Sequence, residues 1–106
     1  MMSRRSIENP RLQEAVRRLV RDLRPRAVIL FGSWARGTPR ADSDYDLLVI
    51  SDQIRDYDEV YRPIVGCGLP CDVVPCSVDA WKDADKDSGG VLREARDEGV
   101  ILYGQP

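Results

Sequence analysis

The sequence predicts a small α/β (α+β) domain in which a mixed sheet of three main strands packs against helices. Near the N-terminus, apolar residues recur at intervals of three and four, which is the period of an amphipathic helix. Further along, runs rich in branched residues at 27–31, 44–50 and 71–76 are bounded by Gly, Pro or polar residues, as strands are. A length of 106 residues is typical of one domain, so we expect residues 1–106 to form a single unit.

The first element is predicted to be a helix that begins at Asn9-Pro10. Asn is a preferred N-cap, and Pro is favoured at the first helical position because its missing N–H has no partner there. Pro25 is expected to end the helix. One apolar stripe runs along it, made of Leu12, Ala15, Val16, Leu19, Val20 and Leu23.

The strands follow from residue type and from the turns between them. Ala27–Phe31 has no polar face, which predicts a strand covered on both sides. Ser33–Arg36 is expected to form a brief helical turn ending at Gly37, before a loop and the second strand. In the third strand, Pro75 indicates an edge position or an early end.

The remaining segments are less regular. Residues 53–61 are weakly helical, and the acidic stretch 77–87 is ambiguous. A short helix over Val91–Ala95 and an extended piece at 100–103 close the sequence, and the extended piece is a candidate for a short fourth strand.

Composition limits the chemistry that the chain can support. It has no histidine, which excludes Ser-His-Asp and Cys-His catalysis, HExxH metallopeptidase sites and histidine-containing zinc fingers. The three cysteines are too few for a disulfide framework, and their spacing does not suit zinc. We therefore expect a reducing, cytoplasmic location. No segment is long and apolar enough to span a membrane. The thiols interpreted as small and partly buried are Cys67, Cys71 and Cys76.

Charge is unevenly distributed along the chain. Residues 1–40 carry 10 Arg and 3 acidic residues, whereas residues 41–106 carry 6 basic and 15 acidic residues. A basic arm can bind nucleic acid, but these arginines are spread along a helical pattern. We interpret them as a solvated helix face and expect no direct binding of nucleic acid.

A Gly-Ser dipeptide and three aspartates are the residues most informative about function. Gly32-Ser33 follows a buried strand, and backbone amides at a strand-to-helix turn form a natural seat for phosphate. Asp44 and Asp46 alternate along a strand, so both carboxylates point to one face. A helical crossover would make the second and third strands parallel neighbours and bring Asp72 to the same end. With the first strand antiparallel to the second, Gly32-Ser33 arrives there too.

Three carboxylates at one end of a sheet predict a cation site. Adjacent anions raise each other's pKa unless a cation lies between them, and Mg²⁺ binds a few carboxylates together with phosphate oxygens. With a phosphate-binding turn beside them, the acids suit two-metal phosphoryl or nucleotidyl transfer. Each motif alone has a simpler interpretation, because Gly-Ser is usually a turn and Asp-x-Asp often caps one.

The order and spacing of these residues resemble a known signature. Gly32-Ser33, then Asp44-x-Asp46 after ten residues, and Asp72 in a later strand are similar to the DNA polymerase β-type nucleotidyltransferase superfamily. The fuller Gly-Ser-x-Ala-Arg-Gly and Ser-Asp-x-Asp-Leu forms resemble the minimal nucleotidyltransferases (MNT), stand-alone domains of about this length. The resemblance implies a polymerase β-like nucleotidyltransferase core over nearly the whole chain.

The resemblance also implies a reaction and a role for each residue. Gly32 and Ser33 would bind the triphosphate of ATP, and Asp44 and Asp46 would bridge two Mg²⁺ ions. Asp72 would complete one metal site and help deprotonate the acceptor hydroxyl. Minimal nucleotidyltransferases are commonly paired with a HEPN ribonuclease toxin. The resemblance therefore implies AMP transfer to a tyrosine of such a toxin by a type VII-like antitoxin, within a hetero-oligomer.

Several alternatives stay open on the residues alone. The chain could neutralise a toxin by binding without catalysis, or modify a small molecule as aminoglycoside nucleotidyltransferases do. Arg36 is equally placed to contact phosphate or to form a local salt bridge. Trp34 is expected to pack beneath the following loop rather than stack on a base. The residues Trp81, Tyr57 and Tyr61 could form a partner-binding surface or cover the core, and we expect them to cover the core.

Overall fold

In the computed structural model, which describes residues 8–40, 43–54, 56–84 and 90–106, a four-stranded sheet separates two layers of helices. The strands are β1 (Ala27–Phe31), β2 (Tyr45–Ile50), β3 (Cys71–Cys76) and β4 (Val100–Gly104), in the order β3-β2-β1-β4. The helices are α1 (Pro10–Leu23), α2 (Gly32–Arg36), α3 (Tyr57–Tyr61), α4 (Val78–Lys82) and α5 (Val91–Glu98). β1 is antiparallel to both of its neighbours, whereas β2 and β3 are parallel. The predicted α/β (α+β) class with a mixed sheet is confirmed.

The first helix begins and packs as its sequence predicts. The Asn9 side chain accepts hydrogen bonds from two backbone N–H groups of the first turn, at 3.0 and 3.3 Å, and Pro10 occupies the first position. Its apolar stripe is buried through Leu12, Ala15 and Leu19. No helix among the described residues is long and apolar enough to cross a membrane.

Both faces of the sheet are covered, and all five residues of β1 are buried. Side chains alternate along a strand, so neighbouring residues of β1 and β2 enter two different core clusters. The cluster beneath α1 includes Leu12, Leu19, Val28, Leu30, Leu47 and Val73. The cluster beneath α4 and α5 includes Ile29, Phe31, Leu48, Ile50, Trp81 and Ala95. Each fully buried apolar side chain contributes about 1.5–3 kcal/mol to the stability of the fold. The two clusters therefore hold the ends of the strands in place.

Pro75 is accommodated because β3 is an edge strand, as its presence predicts. The N–H of Ser51 donates to the carbonyl of Cys76 at 2.8 Å, so Cys76 presents its backbone to β2. Backbone groups alternate in direction along a strand, and therefore Val73 and Pro75 face the free side of β3. A proline on that side removes no hydrogen bond from the ladder.

The structure refines several predicted boundaries. The second strand begins at Tyr45, so Asp44 lies immediately before it rather than within it. The crossover from β2 to β3 consists of α3 and a 3-10 turn over Arg62–Ile64 rather than one continuous helix. Part of the ambiguous acidic stretch forms α4, and residues 85–89 lie outside the described part of the chain. The fourth strand pairs with β1.

Candidate active site

The register of the sheet brings the predicted site residues to one end of the molecule. In the parallel pair, Asp46 lies directly beside Asp72, and neighbouring strands are about 4.8 Å apart. In the antiparallel pair, Asp46 lies opposite Phe31, the residue that precedes Gly32. Asp44 is exposed at the start of β2. Gly32 and the three aspartates therefore converge as the topology argument predicts.

Gly32 lies so close to Asp46 that a side chain at this position would displace the carboxylate. It is buried and has a φ of +75°, in the left-handed region that favours glycine. A Cβ atom at Gly32 would lie 2.1 Å from the Oδ2 atom of Asp46, far inside van der Waals contact. The next residue, Ser33, is half-buried in the first turn of α2. The turn that follows β1 thus packs directly on the carboxylate of Asp46.

Negative charge accumulates around Asp46. Partial burial raises the pKa of its carboxyl above the ordinary value, and the nearby charges of Asp72, Glu94 and Asp44 raise it further. Arg36 acts in the opposite direction and lowers this pKa. Because the raising effects prevail, an ionised Asp46 is costly in this site, and a bound cation would remove that cost.

The donor set suits a magnesium ion. Carboxylate oxygens on two adjacent strands are the ligands that Mg²⁺ prefers. Within the part of the chain that the structure describes, no three acidic or cysteine side chains are gathered as a finished metal site. Asp44 is exposed, so rotation of its side chain can bring oxygens to a cation while the strands stay fixed.

Arg36 forms a local salt bridge, one of the two interpretations that its sequence position allows. Its guanidinium contacts the carboxylate of Glu94 and lies 3.8 Å from the Oε2 atom of Glu98. Both acids lie on α5, which packs against α2. Glu94 therefore belongs to the surroundings of the site, although no sequence motif marks it.

Trp34 packs beneath the loop before β2, as expected. Its indole N–H donates to the carbonyl of Ser43 at 3.0 Å, and its ring stacks on Tyr45 with centroids 4.4 Å apart. The Tyr45 hydroxyl accepts a hydrogen bond from the side-chain amide of Asn9 at 2.7 Å. These contacts tie the start of β2, where the two neighbouring aspartates lie, to the N-terminus of α1.

A tyrosine hydroxyl contacts the third aspartate. The Tyr61 hydroxyl donates to the Oδ1 atom of Asp72 at 2.9 Å and accepts from the N–H of Val73 at 3.0 Å. The ring of Tyr61 packs against the core cluster beneath α1, which agrees with the prediction for this residue. The sequence contains no signal for the hydroxyl contact, because Tyr61 and Asp72 belong to separate elements brought together by the crossover.

Other predicted packing has mixed outcomes. Trp81 is buried, as expected, but the expectation that Tyr57 covers the core is wrong because its side chain is 57% exposed. Burial raises the pKa of the Cys71 thiol to about 12 and that of Cys76 to about 11. The two thiols stay protonated at neutral pH, and all three cysteines are free and at least partly buried, as the composition predicts.

Residues 10–102 match the family model described as "Nucleotidyltransferase domain". The chain belongs to this nucleotidyltransferase family. No curated protein is significantly similar to it in sequence. The match covers α1 through most of β4, so the Gly-Ser turn and all three aspartates lie inside the family domain. Transfer of a nucleotidyl group is therefore the chemistry that the domain serves.

Solved structures share the fold at low sequence identity. A toxin–antitoxin crystallised with AMP-PNP is 22% identical with a TM-score of 0.59, over 88% of this chain and 73% of that chain. A proposed nucleotidyltransferase from Sulfolobus solfataricus is 18% identical with a TM-score of 0.59, over 90% and 78% of the two chains. A mutant of the toxin–antitoxin MntA-HpeT, with two aspartates two positions apart replaced by glutamate, is 18% identical. Its TM-score is 0.58, over 88% and 73% of the chains.

Proposed function

We propose that this nucleotidyltransferase is Mg²⁺-dependent and transfers AMP from ATP to a hydroxyl group. The observation that carries the proposal is the pairing of Asp46 with Asp72 across two parallel strands, with Gly32 packed on the Asp46 carboxylate. A cluster of anions beside a side-chain-free turn suits a metal-bound triphosphate. The neighbour crystallised with AMP-PNP, an ATP analogue, supports adenosine triphosphate as the donor.

Each residue has a role in this proposal. Gly32 and Ser33 hold the triphosphate through the polar groups of the turn, and the missing side chain at Gly32 lets the Asp46 carboxylate lie against that turn. Asp44, Asp46 and Asp72 are the metal ligands. When bound there, two Mg²⁺ ions would supply positive charge to the phosphates and lower the pKa of the attacking hydroxyl.

The transfer itself exchanges one bond to phosphorus for another. The acceptor oxygen forms a bond to the α-phosphorus, the bond from that phosphorus to the bridging oxygen breaks, and pyrophosphate leaves. Asp72, which is exposed at the edge of the sheet where a second molecule can approach, helps to deprotonate the acceptor hydroxyl.

We further infer that the acceptor is a tyrosine of a HEPN ribonuclease toxin and that this chain is its cytoplasmic antitoxin, within a hetero-oligomer. Two of the similar structures are toxin–antitoxin proteins. In one of them the substituted aspartates have the same spacing as Asp44 and Asp46, which supports equivalent importance of the pair.

The test is transfer of label from α-³²P-ATP. The chain is incubated with labelled ATP, Mg²⁺ and the product of the adjacent reading frame, and label on each protein is measured. Asp44→Ala combined with Asp46→Ala should reduce transfer at least about 10³-fold, since both proposed metal ligands are lost. Asp22→Ala, which removes an exposed carboxylate of α1, is the matched control and should leave transfer unchanged.

Two outcomes would contradict the proposal. Label transfer that survives the double substitution would remove the aspartates from catalysis. Equal protection against the toxin by the double variant and the unaltered chain would favour an antitoxin that acts by binding alone. Mass spectrometry of the labelled partner identifies the acceptor, and a modified serine or threonine would overturn the assignment of tyrosine.

A further inference from the structure

We propose that Tyr61 is a positioning residue for Asp72, holding the carboxylate through its hydroxyl in the orientation that metal binding needs. The inference rests on the proposed function, because it gives a role to the partner of a proposed metal ligand. Four observations carry it: the two hydrogen bonds of the hydroxyl, the anchoring of the ring, the edge position of Asp72, and the exposure of a comparable tyrosine nearby.

The direction of the hydroxyl proton is fixed by its two partners. The N–H of Val73 donates to the Tyr61 oxygen at 3.0 Å, which occupies one of its lone pairs. The proton of the hydroxyl is directed to the Oδ1 atom of Asp72 at 2.9 Å. Because Val73 faces the free side of β3, this N–H has no strand partner within the described ranges, and Tyr61 is the group that satisfies it.

The ring of Tyr61 is anchored, so its hydroxyl is a stable donor. It packs against the core cluster beneath α1, on the face of the sheet to which Val73 contributes. Its helix α3 is capped by Asp56, whose side chain accepts from the N–H of Glu59 at 3.0 Å. Tyr61 therefore holds Asp72 from a rigid element rather than from a loop.

Asp72 needs such a partner more than Asp46 does. Asp46 lies on a strand with a neighbour on each side and is packed against Gly32, whereas Asp72 lies exposed on an edge strand. An exposed carboxylate loses rotamer freedom when it binds a cation, and a hydrogen bond made beforehand reduces that loss. One oxygen of Asp72 is held by Tyr61, which leaves the other for a metal, as ligating carboxylates are generally arranged.

Tyr57 provides a matched control on the same helix. It lies one turn before Tyr61, has the same hydroxyl, and is 57% exposed. Replacing either tyrosine by phenylalanine removes one oxygen atom and keeps the ring, so each variant tests the contacts of one hydroxyl.

The experiment measures binding of Mn²⁺, a paramagnetic probe for the Mg²⁺ site, to the full chain by electron paramagnetic resonance. Tyr61→Phe should weaken Mn²⁺ affinity about tenfold or more, the range for loss of a hydrogen bond to a metal ligand, whereas Tyr57→Phe should bind as the unaltered chain does. In an Asp72→Ala background, Tyr61→Phe should have no further effect, because the carboxylate that it positions is gone. Circular-dichroism melts establish that each variant is folded.

The outcomes separate this inference from the proposed function. Mn²⁺ affinity unchanged in Tyr61→Phe, or an equal loss with and without Asp72, would overturn the positioning role and leave the metal assignment standing. An unaltered chain that binds no Mn²⁺ would overturn the metal assignment and the inference with it. Should Tyr61→Phe not fold, Mn²⁺ broadening of tyrosine signals in the unaltered chain decides: the ring of Tyr61 should broaden more than that of Tyr57, and equal broadening would contradict the proposal.

Discussion

The two sides of the candidate active site are held in place by different means. On the central side, Asp46 lies on a strand with neighbours at both edges, directly against the backbone of Gly32. On the edge side, Asp72 lies on a strand with one neighbour, and its described side-chain partner is the hydroxyl of Tyr61. The central side is positioned by strands on both flanks, and the edge side by one strand neighbour and the hydrogen bond from Tyr61.

The two sides differ in their effect on stability and in their accessibility. Partial burial and neighbouring acids raise the pKa of Asp46, so the central side holds its carboxylate in a fixed place at the expense of stability. Asp72 is exposed and open to a second molecule. A transferase that must hold a nucleotide and also admit a separate acceptor can use one rigid side and one accessible side.

The largest effect in this comparison is expected from Gly32→Ala, which alters the packing of the central side. The added methyl would overlap the Asp46 carboxylate, and displacement of a catalytic group by about 1 Å can cost about 10²-fold in rate. Gly37→Ala is the control, because Gly37 has nearly the same φ, +77° against +75°, and open space around its Cβ position. Both variants should lose about 1–2 kcal/mol of stability to left-handed strain, but only Gly32→Ala should lose nucleotidyl transfer. Similar activity in the two would show that Asp46 is not fixed by this contact.

The second prediction concerns the cation that the central side should bind. A ligand that binds only the folded state, at 100 times its dissociation constant, stabilises it by about 2.7 kcal/mol. Saturating Mg²⁺ should therefore raise the melting temperature of the unaltered chain, and EDTA should reverse the rise. Asp46→Asn should abolish it, whereas Asp22→Asn on α1 should retain it. A rise that persists in Asp46→Asn would place the cation elsewhere.

Much of this arrangement can be predicted from the sequence, because the responsible signals are local. Runs of branched residues define the strands, Pro75 marks the edge, and the helical crossover makes β2 and β3 parallel, which brings Asp46 beside Asp72. Given those elements, the convergence of the three aspartates follows from topology alone.

What the sequence could not provide are contacts between side chains of distant elements. The contact of Tyr61 with Asp72 depends on how the crossover folds back over the edge, and the approach of Glu94 to Asp46 depends on where α5 packs. The helical spacing of Tyr57 from Tyr61 predicts that both cover the core, but a five-residue helix buries only one side. The local sequence pattern predicts that an element has an apolar face, but it does not predict which other element packs against that face.

The third prediction tests the cost of ionised Asp46 through pH. Its pKa in the folded state is raised above the value of 3.8 for an unfolded chain, so ionisation destabilises the fold at neutral pH. As the pH falls through the raised pKa towards 3.8, protonation removes that cost. Asp46→Asn should therefore melt a few degrees higher than the unaltered chain at neutral pH without metal, and the gap should close below pH 3.8.

The opposite sign is expected at a surface aspartate. A hydrogen bond from Arg21 lowers the pKa of Asp22, so Asp22→Asn should leave the melting temperature nearly unchanged or slightly lower at neutral pH. Transfer by the unaltered chain should also fail on acidification at a higher pH than an ordinary aspartate would allow, because protonated Asp46 is a poor metal ligand. A melting gap that is constant with pH would exclude ionisation as its cause.

The smallest effect is expected from removing one hydrogen bond close to the central side. Trp34→Phe keeps a ring to stack on Tyr45 but removes the hydrogen bond to the Ser43 carbonyl, a loss of about 1 kcal/mol in stability. Mn²⁺ affinity should change by less than about threefold, because the sheet still positions Asp46. Tyr61→Phe also removes a single hydrogen-bonding group, yet there the affinity should fall about tenfold. Equal losses of Mn²⁺ affinity in Trp34→Phe and Tyr61→Phe would mean that both sides depend on individual hydrogen bonds. The proposed contrast between the central side and the edge side would then be wrong.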